Sequence, residues 1–387
     1  MLLKCIIVFG TALLIALAVT PLCIRLAPKI GAMDVPKDDR RMHQRAMPRL
    51  GGLAIFLGSV AATLLWLPVV EEELQPQLLP GPEILGILLG GALMFLMGLV
   101  DDIRGLPAKG KLLGQLVCAS VVFSFSVRFE FITNPFTGQP TADFPIWVSY
   151  LLTVIWIVGI SNTINLIDGL DGLAGGISAI ATVCIAYTAY IHGSYDVCMA
   201  LLAVAGGSCG FLPFNFHPAR IFMGDCGSLF LGFMLASVSV MSLTKSATVI
   251  AVAIPVVVLA LPIFDTAFAI LRRLLNGRPI MEADKGHLHH RIMRAGMGQT
   301  RTVLTMYSIS GVMGVAAILV SRDLFVEPIM LTAVAVALIA VFLADQNGKI
   351  ELKARKISRR EDLEAAGQQE EEPASEGPED REGEQEG

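Results

Sequence analysis

The 387-residue sequence is 54% hydrophobic and only 16% charged, whereas soluble domains carry about 25% charged residues. Its apolar residues come in long runs, which is the pattern of membrane spans rather than of soluble helices or half-buried strands. Much of the acid behind the formal net charge of −5 lies in one terminal region. The seven cysteines are dispersed without metal-ligand spacing and are expected to be reduced core residues. No feature of the sequence indicates nucleic-acid binding.

Eleven apolar segments each come close to the ~20 residues that a helix needs to cross a bilayer. They cover residues 2–24, 51–70, 84–100, 111–127, 146–163, 173–191, 197–214, 227–244, 247–271, 302–321 and 328–344. The first lacks a strongly basic start and a small-residue cleavage site, so we interpret it as a span rather than a signal peptide. The sequence therefore predicts an all-α polytopic integral membrane protein with about 11 transmembrane helices.

Lysine and arginine residues predict how these segments are oriented. The loops after every odd-numbered segment, together with the terminal region after the last one, hold 25 of the 29 basic residues. The opposite side holds Lys4, Arg128, Lys245 and Arg322. Because basic residues concentrate on the cytoplasmic side of a membrane, we expect an outside amino terminus and a cytoplasmic carboxyl terminus in the plasma (inner) membrane.

The region after the last segment changes composition twice. Residues 349–360 are basic and are expected to lie near the anionic inner leaflet. Residues 361–387 are rich in Glu, Gln, Gly and Pro, a composition typical of disorder. The predicted domains are therefore a multi-span catalytic domain at 1–348 and a cytoplasmic tail at 349–387. We interpret the tail as a solubilising appendage and leave a regulatory role open.

Residues able to carry chemistry fall on the cytoplasmic side of this predicted topology, and the outside loops hold no comparable cluster. The first cytoplasmic loop contributes Lys37, Arg40, Arg41, His43, Arg45 and Arg49. The ends of segments 3 and 5 and the later loops contribute Asp101, Asp102, Asn162, Asn165, Asp168, Asp171, Asn215, His217, Phe222, Asp225, His287, His289 and His290. This one-sidedness predicts a cytoplasm-facing active-site cleft.

The stretch Asn162–Gly176, NTINLIDGLDGLAGG, places two amides and two carboxylates between apolar segments. A carboxylate left in hydrocarbon costs roughly 2.5–3.5 kcal/mol, so these groups require water, a cation or a ligand. Steps of three residues drift by about 60° on an α-helix, so the four side chains converge only if the helix ends near the Asp-Gly pairs. A helix that breaks at a membrane edge to present polar groups is a candidate site.

The acidic pair Asp101–Asp102 stands at the carboxyl end of a helix, where the helix dipole disfavours negative charge. Either nearby cations, Arg104, Lys109 and Lys111, or a divalent cation could compensate. Mg²⁺ prefers oxygen ligands and is usually held by one or two carboxylates together with substrate phosphates. The pair alone is a weak signal, which becomes stronger beside the other acids on the same membrane face.

Three further features each allow a functional and a structural interpretation. In FMGDCGS, Asp225 suits a helix cap or a ligand site, and Phe222 suits packing or stacking on a base. In DKGHLHHR, residues 284–291, adjacent histidines cannot easily share one zinc ion. Phosphate binding fits that segment better, and a solvated basic loop is the alternative. Asp265 lies within an apolar segment and is either functional or hydrogen-bonded to a neighbouring helix.

These motifs together resemble the bacterial polyprenyl-phosphate N-acetylhexosamine-1-phosphate transferases, over about residues 1–345 and in motif order. The resemblance is carried by DVPKDDRRMHQRAMPRLGG, GLVDDIRGLPAKGKLLGQ, NTINLIDGLDGLAGG, FNFHPARIFMGDCGS and DKGHLHHR. HLHH is similar to the branch that uses UDP-GlcNAc. The sister family that transfers phospho-MurNAc-pentapeptide typically has three adjacent histidines, whereas Leu288 interrupts them here.

The resemblance implies roles for individual residues. It implies a metal shell for Mg²⁺, with Mn²⁺ as an alternative, made of Asp225, Asp102 and Asp168. It implies catalytic roles for Asp101, Asp102, His289 and His290, with Asp101 acting as a base or in acceptor positioning. It implies substrate contacts by Lys111, Asn162, Asn165, Asp168, Asp171, Asn215, Phe222, His287 and Arg291, with Phe222 stacking on uracil.

The implied reaction transfers GlcNAc 1-phosphate from UDP-GlcNAc to undecaprenyl phosphate and releases UMP. The partners would be a UDP-N-acetyl sugar and lipids of the membrane, and a homodimer is left open. Another UDP-N-acetyl sugar or phospho-MurNAc-pentapeptide are alternative donor groups. An ion-coupled transporter is the alternative of another class, but transporters place polar residues near the bilayer midplane and often show repeated halves. A polyprenyl-diphosphate phosphatase is a third hypothesis.

Overall fold

The structure is a computed structural model that describes residues 1–35, 46–74, 81–131, 143–245, 255–275, 287–294 and 296–321. These residues belong to one compact unit, Met1–Ala335. The helices are α1 Leu2–Ile30, α2 Gly51–Leu74, α3 Pro82–Arg104, α4 Ala108–Ser124, α5 Ile146–Ile167, α6 Leu173–Ile191, α7 Tyr195–Asn215, α8 Gly224–Lys245, α9 Ala260–Leu275, α10 Leu288–Arg294 and α11 Gln299–Val320.

Seven helices of the described part of the chain are long and apolar enough to cross a membrane: α1, α3, α5, α6, α7, α8 and α11. The apolar part of α2, Gly51–Trp66, is shorter, and α4 has 17 residues. The chain is therefore a multi-pass membrane protein, as the sequence predicted. The count of about 11 spans stays a prediction, because residues 328–344 and the first part of segment 247–271 lie outside the described residues. So do the predicted domain boundary at 348 and the tail.

A small ribbon of β structure accompanies the helices, which the all-α prediction did not include. Strand β1, Met33–Asp34, pairs antiparallel with β2, Met47–Pro48. The ribbon follows α1 directly and ends just before α2, so it fixes the chain where two helices meet the candidate site. Strands of two residues are too short to show a hydrophobic periodicity, so the sequence carries no signal for them.

Helix α8 is the most enclosed of the seven candidate spans. It packs against α2, α3 and α5, while α7 packs against α1 and α6. Small residues allow the backbones to approach closely, as is usual between membrane helices. A Cβ atom added to Gly98 of α3 would lie 2.5 Å from the Cα atom of Cys226. One added to Gly232 of α8 would lie 2.6 Å from the Cα atom of Ser161.

Candidate active site

The start of α8 is held by a carboxylate from α3. Both oxygens of Asp102 accept backbone hydrogen bonds, from the N–H groups of Asp225 and Cys226, each 2.9 Å long. The preceding Gly224 has a φ of 75°, which favours glycine, and a Cβ atom there would lie 2.5 Å from Asp102 Oδ2. Asp102 therefore satisfies free N–H groups at a helix start, where negative charge is stabilised. The structure shows how the carboxyl end of α3 tolerates an acid.

Asp225 lies at the junction of four helices. Its Oδ2 atom is 2.8 Å from Lys111 Nζ on α4, and its Oδ1 atom accepts a 3.1 Å hydrogen bond from the Asn165 amide on α5. Arg49, just before α2, lies 3.5 Å from Oδ1 of Asp225 and 3.4 Å from Oδ1 of Asp102. Asn165 also donates to Ser228 Oγ at 2.8 Å. Residues remote in sequence thus converge on one half-buried carboxylate.

Asp101 faces the same lysine from the other side. Its Oδ2 atom forms an ion pair with Lys111, and its Oδ1 atom accepts a 2.6 Å hydrogen bond from the Leu106 N–H. Lys111 therefore bridges Asp101 and Asp225. This arrangement orients the lysine ammonium group, which is what a site for phosphate oxygens requires.

The turn between α5 and α6 carries the two Asp-Gly pairs. Asp168 follows the last residue of α5, and burial, followed by the negative charge of Asp225, raises its pKa to about 7. The positive charge of Arg49 opposes this rise. Asp168 thus adds a further acid to a region already holding Asp102 and Asp225.

Asp171 and Asn215 secure the other end of this turn. Asp171 Oδ2 accepts a 3.2 Å hydrogen bond from the Ala219 N–H and lies 2.8 Å from His217 Nδ1. Asn215 Oδ1 accepts from the Gly172 N–H at 3.0 Å, and its amide donates to the Ile221 carbonyl at 2.9 Å. Asp171 and Asn215, both predicted from the sequence, line a cavity and also connect the turn to the loop before α8.

Phe222 lies in the connection between α7 and α8, two residues before α8 begins. Its N–H donates to the Pro48 carbonyl at 2.8 Å, and its carbonyl accepts from the Gly51 N–H at 3.0 Å. These bonds continue from β2 to the start of α2 and fix the Phe222 backbone. Its side chain is half-buried at the cavity wall.

These elements enclose a cavity of about 280 Å³. It is lined by Asp34, Arg49, Asn165, Asp168, Gly169, Leu170, Asp171, Asn215, Phe222, Gly224 and Asp225. Most of the lining is polar, although the cavity stands at the end of an apolar bundle. The structure therefore brings together residues of the loop before α2, the α5–α6 turn and the loop before α8, at one end of the helices.

Asn162 lies elsewhere. Its amide group donates to Gln115 Oε1 at 2.6 Å and to the Val158 carbonyl at 2.8 Å, and its Oδ1 atom accepts from Gln115 Nε2 at 3.2 Å. This reciprocal amide pair joins α4 to α5. Asn162 is not among the cavity-lining residues, although the sequence predicted a substrate contact for it.

In the histidine motif, Leu288–Arg291 lie in α10, and His287 directly precedes this helix. Residues 284–286 lie outside the described residues. His289 is only 1% exposed, and a Cβ atom on Gly169 would lie 2.7 Å from its Nε2 atom. Burial, followed by the proximity of His290, lowers the pKa of His289 to about 3. A neutral ring of this kind cannot supply positive charge to phosphate. His290 and Arg291 are half-buried and do not line the cavity.

Sequence reasoning missed two residues near the site and gave a third, Arg49, no individual role. Arg49 was named only with the other cations of the first cytoplasmic loop, and its position before the glycines that start α2 was the available signal. Asp34 lines the cavity from β1. Tyr307 of α11 donates a 2.5 Å hydrogen bond to the Gly172 carbonyl, and a tyrosine in an apolar segment carried no signal. The cationic residues 37, 40, 41 and 45 and His43 lie outside the described residues.

The donor chemistry of the cavity can be compared with the predicted magnesium site. The described residues contain no group of three His, Cys, Asp or Glu side chains arranged to hold a metal ion. Mg²⁺ does not require one, because it is commonly bound by one or two carboxylates, waters and substrate phosphates. Within the described part of the chain, Arg49 and Lys111 are the cations paired with Asp101, Asp102 and Asp225. With Asp168, the acids outnumber these cations, which fits a divalent cation.

A helical membrane bundle with an acidic cavity at one end, beside the Lys111–Asp225 ion pair, defines a multi-pass membrane protein with an enzyme-like site. The model of glycosyl transferase family 4 matches residues 84–243. A probable undecaprenyl-phosphate N-acetylglucosaminyl 1-phosphate transferase of Bacillus subtilis is 39% identical, over 81% of this chain and 84% of the relative. A decaprenyl-phosphate N-acetylglucosaminephosphotransferase of Mycobacterium tuberculosis is 35% identical, over 82% of this chain and 83% of the relative.

A phospho-N-acetylmuramoyl-pentapeptide-transferase of Bacillus cytotoxicus is 29% identical, over 80% of this chain and 95% of the relative. The chain therefore belongs to the polyprenyl-phosphate N-acetylhexosamine-1-phosphate transferases of glycosyl transferase family 4, and the predicted resemblance is confirmed. Its relatives are phosphosugar transferases.

Proposed function

We propose that the protein transfers GlcNAc 1-phosphate from UDP-GlcNAc to undecaprenyl phosphate, releasing UMP and forming undecaprenyl-diphospho-GlcNAc. The observation that carries this proposal is the convergence of Lys111, Asn165 and Arg49 on Asp225 beside a polar cavity. Oriented cations and carboxylates at a helix end suit a diphosphate bound with a divalent cation. The product would be the first lipid-linked intermediate of a cell-envelope glycan.

Mg²⁺ fits this site through Asp225 and Asp168, with Asp102 supporting Asp225 by holding the start of α8. When bound, the ion would neutralise charge that develops on the diphosphate. Lys111 and Arg49 direct their positive charges toward the same region and would contact phosphate oxygens. Asp101 fixes the position of Lys111 through their ion pair. Phe222, with its backbone held by hydrogen bonds to neighbouring peptides, would offer a face to the uracil ring.

In the proposed reaction, an oxygen of undecaprenyl phosphate attacks the β-phosphorus of UDP-GlcNAc. A new P–O bond forms as the bond to the bridging oxygen breaks, and that oxygen leaves with UMP. A phosphate monoester has a second pKa near 6, so the acceptor is mostly dianionic at pH 7 and needs no base. Positioning of the acceptor is therefore the proposed contribution of Asp101. The site would face the cytoplasm of the plasma membrane, with the amino terminus outside.

The donor and the acceptor are tested together with labelled sugar nucleotides. Membranes containing the protein are incubated with Mg²⁺, undecaprenyl phosphate and radiolabelled UDP-GlcNAc, beside UDP-GalNAc and UDP-MurNAc-pentapeptide, and label is counted in extracted lipid. We expect lipid label and equimolar UMP from UDP-GlcNAc. If only another donor labels the lipid, that sugar nucleotide is the substrate, and the reaction remains one of the same family. The absence of lipid label from every donor would contradict the transferase proposal, and release of inorganic phosphate from polyprenyl diphosphate would favour a phosphatase.

The proposed metal ligand is tested by Asp225→Asn. The amide keeps the size of the side chain but removes the negative charge that meets Lys111 and Arg49. We expect activity to fall by at least tenfold and the Mg²⁺ concentration for half-maximal activity to rise, since a charged ligand interaction contributes about 1.5–3 kcal/mol. Asp196→Asn at the start of α7 is the matched control, because Asp196 occupies the first turn of another span. An unchanged Mg²⁺ titration would remove Asp225 from the proposed metal shell.

A further inference from the structure

Asp265 is a buried acid that the proposed reaction does not use. It is the sixth residue of α9, which begins at Ala260, and its side chain is 7% exposed. An ionisable side chain within an apolar segment is costly, so it is retained only where its contacts compensate for that cost. The partners of Asp265 therefore indicate its role.

Both oxygens of the Asp265 carboxylate contact the start of the histidine motif. Its Oδ2 atom lies 3.1 Å from His287 Nδ1, and its Oδ1 atom accepts a 2.8 Å hydrogen bond from the Leu288 N–H. Because a carboxylate oxygen accepts hydrogen bonds, this contact favours the tautomer in which the Nδ1 atom of His287 carries the proton. The second ring nitrogen, Nε2, is therefore the atom of His287 that can act as an acceptor when the ring is neutral.

The contact at Asp265 continues through the histidines to the turn between α5 and α6. The rings of His287 and His289 are nearly parallel, with centroids 5.7 Å apart and an interplanar angle of 5°. His289 in turn packs against Gly169, next to Asp168, where a side chain on residue 169 would collide with the imidazole. The orientation of His287 is thus coupled by packing to the cavity wall.

We propose that Asp265 is a positioning residue, which fixes the ring orientation and tautomer of His287 and holds α10 against the α5–α6 turn. The proposal rests on the proposed function for its kinetic test. His287 is buried and is not among the cavity-lining residues, so it affects the site through the packing of α10 on the α5–α6 turn. A carboxylate that orients a functional histidine through Nδ1 is a recurrent arrangement in enzyme sites. Asp265 is outside the cavity lining and is assigned no contact with substrate.

Asp265→Asn tests the assignment, because the amide preserves volume but offers only one acceptor oxygen for two donors. We expect kcat/KM for the sugar nucleotide to fall by about tenfold or more, as for other hydrogen bonds to charged groups. Thr266→Val is the matched control, since Thr266 is its buried neighbour and its hydroxyl has no hydrogen-bond partner among the described residues. The control should retain the wild-type rate.

A double-variant cycle separates positioning of His287 from a general bracing of α9. If Asp265 acts through His287, Asp265→Asn should cause little further loss in a His287→Gln background. Additive losses would contradict the proposal. Asp265→Glu retains a carboxylate that can accept the hydrogen bond, so its rate should be close to that of the wild type and well above that of His287→Gln. This variant also tests the proposal if Asp265→Asn does not fold. A Glu variant no faster than His287→Gln would contradict the proposal.

Histidine labelling with diethyl pyrocarbonate gives a readout that does not depend on the proposed reaction. His287 is 4% exposed and should be protected in the wild-type protein. It should become reactive in Asp265→Asn and stay protected in Thr266→Val, as measured by mass spectrometry of peptides. Equal protection in all three proteins would overturn the positioning role. Failure of the wild-type protein to transfer any sugar phosphate would instead contradict the proposed function, whatever the labelling shows.

Discussion

Asn162 and Asn165 lie three residues apart in α5, but their side chains contact different helices. Three residues correspond to a rotation of about 60° short of a full turn, which directs Asn162 to Gln115 of α4. Asn165 instead reaches Asp225 and Ser228 at the start of α8. Two residues of the same type in one motif can therefore differ in role because of the helix geometry alone.

The two asparagines form a matched pair for mutagenesis. Asn165→Ala removes two hydrogen bonds beside the cavity and should lower kcat/KM by about tenfold, since it leaves Asp225 less well held. Asn162→Ala removes the pair with Gln115 and should chiefly lower thermal stability, by roughly 0.6–1.7 kcal/mol as for other interhelical hydrogen bonds in membranes. Initial rates and melting temperatures measure the two effects. A larger kinetic loss in Asn162→Ala would restore its predicted role in substrate binding.

His289 gives a pH dependence whose sign follows from its lowered pKa. Burial favours the neutral ring in the folded protein, where the pKa is about 3, whereas an unfolded histidine titrates near 6.5. The resulting stabilisation of the folded protein is complete at pH values well above the unfolded pKa and is lost as the pH falls below that pKa. By pH 5 the total loss amounts to roughly 2 kcal/mol.

His289→Gln should therefore lower the acid sensitivity of the folded protein. Melting temperatures in detergent at pH 7.5 and pH 5 should differ less for the variant than for the wild type, because glutamine does not titrate. His192→Gln is the control, as His192 is exposed in the connection between α6 and α7. A wild-type pH dependence in His289→Gln would mean that the buried ring does not resist protonation.

At the scale of single residues, the acids of the candidate site could be predicted from the sequence, but the contacts that they make could not. Asp101, Asp102, Asp168, Asp171 and Asp225 were detectable because acids are rare in apolar segments. Their partners were not, since hydrogen bonds such as those from α8 to Asp102 depend on how helices pack. The individual catalytic and metal-binding roles stay predictions.

The turn between α5 and α6 is braced by an element distant in sequence, α11. Tyr307 donates to the Gly172 carbonyl, and the same glycine donates its N–H to Asn215. Gly172 has a φ of 80°, so the turn adopts a conformation that other residues disfavour. Helices α7 and α11 therefore hold the two peptide groups on either side of Gly172, beside the cavity.

Tyr307→Phe removes a single hydroxyl from this brace. A neutral hydrogen bond contributes about 1 kcal/mol, so we expect kcat/KM for the sugar nucleotide to fall by about fivefold. Ser308→Ala provides the control, because the adjacent Ser308 hydroxyl donates within its own helix, to the Leu304 carbonyl. Steady-state kinetics of both variants measure the effect. Equal rates for Tyr307→Phe and the wild type would show that Asn215 alone suffices to hold the turn.

The helices themselves were largely predictable, since each long apolar run produces a strong hydropathy signal. The predicted segment 146–163 corresponds to α5, which extends to Ile167, because residues of the polar motif continue the helix. The β1–β2 ribbon and the short α10 were not predicted. Both are brief and are fixed by contacts with other elements rather than by their own periodicity.

The whole molecule concentrates its polar machinery at one end of the bundle. There, the contacts of Asp102, Asn165, Asn215, Lys111 and Gly172 join the carboxyl ends of α3, α5 and α7 to the starts of α4, α6 and α8. The start of α2 joins them through the N–H groups of Gly51 and Gly52. Alternating helices of a bundle place such ends on the same side of the membrane. The positive-inside distribution predicts that this side is cytoplasmic.

Cysteine labelling tests this orientation. In intact cells, an impermeant maleimide should label His192→Cys at the far end of the bundle and should label Lys109→Cys only after permeabilisation. Five of the seven native cysteines are buried and the other two are half-buried, so the wild-type protein provides a low background control. The opposite labelling pattern would invert the predicted topology.

The bonds between Asp102 and the start of α8 also bear on how such an enzyme can diversify. They tie α3 to α8, while the Gly51 and Gly52 N–H groups tie α2 to the Phe222 and Met223 carbonyls. One wall of the cavity is thereby fixed, whereas Gly169, another lining residue, packs against His289 of the short α10. Replacing α10 would leave the bonds from Asp102 to the start of α8 in place. We therefore predict that the two parts of the site can change independently, in evolution or by design.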